Sequence, residues 1–70
     1  MRDEPVYKMI ELTGTSGDSL EAAIGNAVAK AGRTVRNMRW FRVEEFRGAI
    51  EGAAVAQWQV TVKIAFTVED

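Results

Sequence analysis

The most regular pattern in the chain is the alternation of apolar and polar residues near its C-terminal end. Every second residue there is apolar: Trp58, Val60, Val62, Ile64, Phe66 and Val68. The residues between them are mostly polar: Gln57, Gln59, Thr61, Lys63, Ala65 and Thr67. Because successive side chains of a strand point to opposite faces of its sheet, the alternation predicts a strand over residues 55–69 with one buried and one polar face.

Two further strands are predicted earlier in the chain. Residues 39–51 form one of them, and the short segment Glu51-Gly52-Ala53-Ala54 that follows predicts a hairpin with the C-terminal strand. Residues 6–13 form the other. Their alternation is less regular, which is typical of a strand with both faces partly covered.

A helix is predicted over residues 19–36. Its apolar residues follow helical spacing: Leu20, Ala23, Ile24, Ala27, Val28 and Ala31. Residues 14–18 precede it and are rich in glycine and hydroxyl or carboxylate side chains, which predicts a turn. Within that turn, Asp18 with Glu21 resembles a capping box, and Ser16 is the competing N-cap.

Other features of this helix depend on its surroundings. Gly25 costs about 1 kcal/mol relative to alanine unless another backbone passes close to it. Gly32 and Asn37 are equally good as the residue that ends the helix.

The element order β-α-β-β predicts an α+β fold, in which one helix packs on one face of a three-stranded antiparallel sheet. We expect residues 1–70 to form a single domain.

The composition narrows the chemistry of this small chain. Its 70 residues include no cysteine and no histidine, so disulfides and the usual zinc sites are excluded. The common general base and the best nucleophile are also missing, so we predict no catalytic residues and no enzyme activity. We assign no metal ligands, although the composition allows a surface metal site made of carboxylates alone. A domain of this size buries only about 60% of the surface of its unfolded chain, and self-association is therefore expected.

The charge and hydropathy patterns concern location and partners. No apolar segment is long enough to span a membrane, and Met1–Pro5 lacks the apolar run of a signal peptide. We therefore expect a soluble cytoplasmic protein. The formal net charge of −1 argues against a dedicated nucleic-acid binder, although several arginines lie near Trp40 and Phe41. A set of ion pairs is the favoured interpretation of those arginines.

Trp40 and Phe41 are adjacent in a predicted strand, so they cannot both enter one core. Two interpretations of Trp40 remain equally good. It fills an inter-subunit core, where tryptophan is enriched, or it stacks on a planar heteroaromatic ligand. In the second case, Gln59 on the polar face of the C-terminal strand offers both a donor and an acceptor.

The chain as a whole resembles the dodecins. The resemblance depends on the order and spacing of segments over nearly all of the sequence: Glu11-Leu12-Thr13-Gly14-Thr15-Ser16, Glu21-Ala22-Ala23-Ile24, Trp40-Phe41-Arg42-Val43, Phe46-Arg47-Gly48 and Trp58-Gln59-Val60-Thr61-Val62-Lys63-Ile64-Ala65-Phe66. The family has a β-α-β-β subunit, in which the sheet wraps around the helix, and assembles as a hollow dodecamer.

The resemblance implies a flavin-binding protein for storage and photoprotection. Trp40 would stack on the isoalloxazine, and its symmetry mate would close the sandwich around a pair of flavins. Gln59 would bond the pyrimidine edge, and Arg47 would lie near the phosphate of FMN, favouring FMN over riboflavin. Trp40 would also quench the excited flavin by electron transfer. Bacterial dodecins can bind coenzyme A on another surface, for which no residues are carried over.

The chain departs from the expected pattern at two points. Trp58 stands where the family usually has tyrosine or phenylalanine, and we interpret it as a core residue. Trp40 and Arg47 have opposite strand parity, so one flavin meets both only through twist, a bulge or a neighbouring subunit. The competing functional hypotheses are a structural oligomer that carries no flavin and, third, a small RNA-binding module.

Overall fold

The described part of the chain, residues 4–69 of a computed structural model, contains three strands and one helix in the predicted order. The elements are β1 (Tyr7–Ser16), α1 (Leu20–Ala31), β2 (Met38–Glu51) and β3 (Ala54–Thr67). β3 is the central strand and pairs antiparallel with both neighbours, so the sheet order is β1-β3-β2. The predicted α+β fold, with a three-stranded antiparallel sheet and one helix, is confirmed.

The core lies between α1 and the central strand. It is formed by three alanines of the helix and three aliphatic residues of the strand: Ala23, Ala27, Ala31, Val60, Val62 and Ile64. All of these are buried. Because alanine has the shortest apolar side chain, this stripe lets the helix backbone lie close to the sheet. Leu12 and Ile10 of β1 pack against the edge of the same cluster.

β1 runs further than the sequence predicted, through a glycine that was expected to lie in a turn. Gly14 pairs with Val60 inside the sheet and is buried. A β-carbon on Gly14 would lie 2.0 Å from the Ala23 carbonyl oxygen and 2.9 Å from the Ala27 β-carbon. The glycine is therefore needed for the close approach of the helix backbone, and the predicted strand end at residue 13 was wrong.

The helix also begins and ends at other residues than predicted. Ser19 is the N-cap, and its side chain accepts a hydrogen bond from the Ala22 amide at 3.0 Å. The Ser16 hydroxyl instead accepts from the Asp18 amide at 2.9 Å in the preceding bend. Of the two predicted ends, Gly32 is the C-cap. Asn37 has the expected left-handed conformation, with φ 67°, but it precedes β2.

The other two strands agree with the prediction to within two residues, and the hairpin between them is long. Its turn contains Gly52, whose φ of 65° suits a two-residue connection. The chain extends over 59 × 20 × 14 Å with a radius of gyration of 14.7 Å. A compact chain of this length would have a radius of gyration of about 11 Å. The hairpin therefore projects beyond the core.

The helix packs on β1 and β3 and leaves β2 uncovered beyond Met38. Phe41, Val43 and Phe46 of β2 pair with Ile64, Val62 and Val60. Directly paired residues share a face of the sheet, so these three side chains, here called the β2 apolar row, lie beside the core on the helix side. Their exposed fractions are 46%, 40% and 64%. The helix side of β2 thus carries apolar side chains of the kind found in a core, but nothing in the described part of the chain covers them.

We predict that Gly14→Ala destabilises the fold, because the new β-carbon meets helix backbone that a side-chain rotation cannot move. The expected loss is roughly 1–3 kcal/mol, as for other overpacked sites, and is measured by thermal and denaturant unfolding followed by circular dichroism.

Gly25→Ala is the matched control for this prediction. No atom lies within 4 Å of the position its β-carbon would take, and we expect a gain of up to about 1 kcal/mol from helix propensity. Equal effects of the two substitutions would contradict the close approach at Gly14.

Candidate functional site

The three residues predicted to bind a ligand lie on the face of the sheet opposite α1, here called the outer face. On the central strand this face carries Gln59 and Ala65, because the alternate residues face the helix. Trp40 pairs with Ala65, and Arg47 pairs with Gln59. Trp40, Gln59 and Arg47 therefore share the outer face.

A bulge in β2 brings Trp40 and Arg47 to the same face. Their sequence separation would place them on opposite faces of a regular strand. The register with β3 shifts between Val43 and Glu45, so Glu44 is an extra residue in β2. An extra residue reverses the parity of everything that follows it. The bulge therefore places Trp40 and Arg47 on one face, but it does not bring them together, since their partners Ala65 and Gln59 lie six positions apart in β3.

Trp40 lies over the central strand and keeps a large exposed surface. Its ring centroid is 5.7 Å from that of Tyr7, at an interplanar angle of 65°, which is an edge-to-face contact. Ala65 lies between Trp40 of β2 and Met9 of β1 in the register and is 0% exposed. Trp40 itself is 44% exposed. The indole is thus supported on one side and open on another.

Sequence reasoning missed the support for this tryptophan. Tyr7 was placed in the first strand, and Ala65 on the polar face of the last, without a role for either. Their contact with Trp40 depends on the pairing of β1 and β2 with the same central strand. No local pattern in the sequence specifies that register, so neither residue could be assigned from periodicity alone.

Arg47 and Gln59 lie in a polar network at the other end of the outer face. Arg47 donates from Nε to Gln59 Oε1 at 3.0 Å and from Nη1 to Glu45 Oε1 at 2.9 Å. Its Nη2 makes a longer contact of 3.4 Å with Thr61 Oγ1. Gln59 Nε2 donates to Gln57 Oε1 at 2.9 Å. The network orders side chains that would otherwise move freely on an open face.

The two ends of the outer face are far apart within one chain. Ala65, beside Trp40, and Gln59 are six positions apart in β3, which corresponds to about 20 Å at roughly 3.4 Å per residue. Trp40 and Gln59 of one subunit therefore do not converge on one small molecule. The outer face of each chain therefore has two separate ends, an aromatic end at Trp40 and an amide end at Gln59.

Among residues 4–69, no three or more Asp, Glu, His or Cys side chains are grouped as metal ligands. None of the helical structure found there is long and apolar enough to cross a membrane.

Trp58 lies on the helix side of the sheet, opposite Gly48, and is half-buried.

The fold and the outer face define a small α+β protein that presents an open aromatic surface on a sheet. Comparison with known proteins specifies the family, because the family model for dodecins matches residues 6–69. The chain belongs to the dodecin family, whose members are small ligand-binding proteins. The resemblance seen in the sequence is confirmed.

Individual relatives agree with this assignment over nearly their whole length. The dodecin of Thermus thermophilus is 48% identical over 65 residues, which are 93% of this chain and 94% of the relative. The calcium dodecin of Mycobacterium tuberculosis is 34% identical over 61 residues, covering 87% and 86%. The structure of dodecin from Streptomyces coelicolor superimposes with a TM-score of 0.91 at 40% identity, covering 99% of both chains.

We predict that Ala65→Leu displaces the indole of Trp40, because a fully buried position beneath it has no room for a larger side chain. Near-ultraviolet circular dichroism of the ligand-free protein, in a Trp58→Phe background that leaves Trp40 as the only tryptophan, should lose the signal of the Tyr7–Trp40 pair.

Lys63→Leu is the control, since it introduces the same side chain elsewhere on the same strand face. Lys63 is half-buried and pairs with Glu11 and Arg42 rather than with Trp40. An unchanged spectrum of Ala65→Leu would show that Ala65 does not support the indole.

Proposed function

We propose that this protein binds and stores a flavin, FMN or riboflavin, and that the isoalloxazine ring stacks on Trp40. The observation that carries the proposal is the large exposed surface of Trp40 on the outer face, 44% open in the isolated chain. Stacking on an aromatic side chain requires only that the ligand has a planar ring, and in nucleic-acid complexes it contributes about 1–3 kcal/mol per base. Membership of a family of small ligand-binding proteins supports a ligand here.

The flavin site we propose is shared between subunits. Trp40 and Gln59 of one chain are too far apart to contact one isoalloxazine ring. A flavin stacked on Trp40 therefore takes its hydrogen bonds from Gln59 of a neighbouring subunit. A two-fold axis would place both pairs of residues together and generate two equivalent flavin positions, with the symmetry-related Trp40 closing the stack.

The amount of exposed surface supports an assembly of this kind. The chain exposes 5278 Å², whereas about 4,300 Å² is expected for a folded monomer of this mass. The excess is close to one partner's share of a standard interface, about 800 Å². The β2 apolar row supplies uncovered apolar side chains for such contacts. We propose a homododecamer, as the resemblance to dodecins implies, with residues 1–70 acting as one flavin-binding domain.

The polar residues have complementary roles in this proposal. The amide of Gln59 matches the imide edge of the pyrimidine ring, where an N–H group lies between two carbonyls. Arg47 contributes positive charge for the phosphate of FMN. Trp40 donates an electron to the excited flavin and recovers it, which returns the flavin to its ground state without photochemistry. In this proposal the protein protects stored flavin from light and catalyses no reaction. Its expected location is the cytoplasm. Coenzyme A is a second expected ligand, on another surface.

Ion pairs of two β2 arginines favour this proposal over an RNA-binding module. Arg42 Nε lies 2.6 Å from Glu44 Oε2, and Arg47 Nη1 lies 2.9 Å from Glu45 Oε1. Carboxylates beside both guanidinium groups weaken their attraction for any phosphate, and nucleic-acid binding depends on phosphate contacts far more than stacking on Trp40 does. A structural oligomer without flavin remains the competing hypothesis, and the first experiment separates it from a flavin store.

We predict that the purified apo-protein quenches FMN and riboflavin fluorescence, with saturation near one flavin per chain, and that Trp40→Ala weakens flavin binding by at least about tenfold. Quenching should be lost with the indole, because the electron donor is gone. Trp58→Phe should retain both affinity and quenching.

Sedimentation of the same variants gives the decisive comparison. A flavin site predicts that Trp40→Ala keeps the oligomer of the unchanged protein. Disassembly of Trp40→Ala, or an intact oligomer of the unchanged protein that neither quenches nor binds flavin, would favour the structural hypothesis.

We also predict complementation between two weakly binding variants, because the proposed site takes Trp40 and Gln59 from different chains. Trp40→Ala and Gln59→Ala subunits, unfolded together and refolded as a mixture, should recover a fraction of the high-affinity flavin positions. Each variant refolded alone is the control. No recovery in the mixture would show that both residues act from the same chain.

A further inference from the structure

The guanidinium of Arg47 is already engaged by acceptors of its own chain. Three of its nitrogens face three different oxygens: those of Gln59, Glu45 and Thr61. The side chain is 43% exposed, so it lies along the sheet and is not fully extended into solvent. Arg47 therefore binds neighbouring side chains of its own chain, in addition to any contact with the phosphate of a ligand.

The chemistry of the neighbours fixes the direction of every hydrogen bond in this network. A carboxylate such as Glu45 only accepts, and a guanidinium only donates. The end of the Gln59 amide that faces Arg47 must therefore be its oxygen. Its nitrogen then faces Gln57, whose own oxygen must accept. The two charged residues thus set the orientation of an amide that could otherwise flip between two nearly equivalent states.

This arrangement leaves Gln59 with defined unused capacity. A glutamine amide has two N–H donors and two acceptor lone pairs. Arg47 uses one lone pair, and Gln57 uses one N–H. One donor and one acceptor remain. Those are the two groups that an imide edge, a carbonyl beside an N–H, requires from its partner.

We propose that Arg47 is a positioning residue for Gln59, with Glu45 as its anchor, and that this role determines recognition of the imide edge of the flavin. The inference rests on the proposed flavin function and adds a second task to the charge that Arg47 supplies for phosphate. Positioning of Gln59 affects the binding of both riboflavin and FMN, whereas a contact with phosphate affects FMN alone. Riboflavin lacks the phosphate but has the same imide edge as FMN.

Affinities of riboflavin and FMN for Arg47→Ala separate these tasks. Positioning predicts that riboflavin and FMN both weaken, by roughly three- to tenfold, the usual effect of losing a well-placed hydrogen bond. Arg47→Lys should not restore riboflavin binding, because an ammonium group cannot hold the amide, the carboxylate and the hydroxyl in one plane. Weakening of FMN alone would overturn the proposal and leave Arg47 as a phosphate ligand.

Arg42→Ala is the matched control for these titrations. Arg42 lies on the same strand, is paired with a carboxylate in the same way and is 57% exposed, but it faces Glu44 and not Gln59. Riboflavin affinity should be unchanged in this variant. An equal loss with Arg42→Ala and Arg47→Ala would overturn the proposal, since it would indicate a general effect of positive charge on the outer face.

A double-mutant cycle tests whether Arg47 acts through Gln59. For riboflavin, Arg47→Ala combined with Gln59→Ala should bind no more weakly than Gln59→Ala alone, because nothing remains to be positioned. Additive losses would overturn the proposal and show that Arg47 contacts the ligand independently.

Crystal structures of the flavin-free protein make the test independent of flavin binding. Gln59 should adopt a single orientation in the unchanged protein and several in Arg47→Ala. The same orientation in both would overturn the positioning role. Absence of flavin binding to the unchanged protein would instead reject the proposed function, so the two failures are distinguishable.

Discussion

The rest of the structure depends on how closely one short helix approaches the sheet. The alanine stripe of α1 and the missing side chain at Gly14 let the helix backbone come within contact distance of β1. A helix packed this tightly is about the width of two strands, since side-chain-bearing helices are about 10 Å across and strands are about 4.8 Å apart. The third strand of the sheet, β2, is therefore left without cover beyond Met38.

That uncovered strand carries both the apolar surface and the candidate ligand residues. Its helix side, the β2 apolar row, matches the buried face of β3 in composition but has no partner within the chain. Its outer side carries Trp40 and Arg47. Trp40 and Gln59 are separated along the sheet, so in the proposed site oligomerisation completes the ligand contacts as well as covering apolar surface. In the proposed site, neither subunit has a complete set of contacts, so assembly and ligand binding are physically linked.

The helix boundaries and the end of β1 show where sequence patterns were insufficient. The alternation of β3 predicted a two-faced strand correctly because β3 is paired on both sides and packed by the helix. Gly14 was expected to lie in a turn, since glycine is common in turns and its neighbours are capping residues. Its actual reason is a contact with helix backbone more than eight residues away. The apolar period beyond Gly32 continued only because Met38 enters the same core from a strand.

The sequence by itself determined the element order, the α+β class, the family and the placement of two adjacent aromatic residues on opposite faces of the sheet. These follow from local periodicity and residue chemistry, which do not require knowledge of distant contacts. The tertiary structure decided the strand register, the bulge at Glu44 and the support of Trp40 by Tyr7 and Ala65. These depend on pairing between segments far apart in the chain, and a shift of one residue reverses which face a side chain occupies.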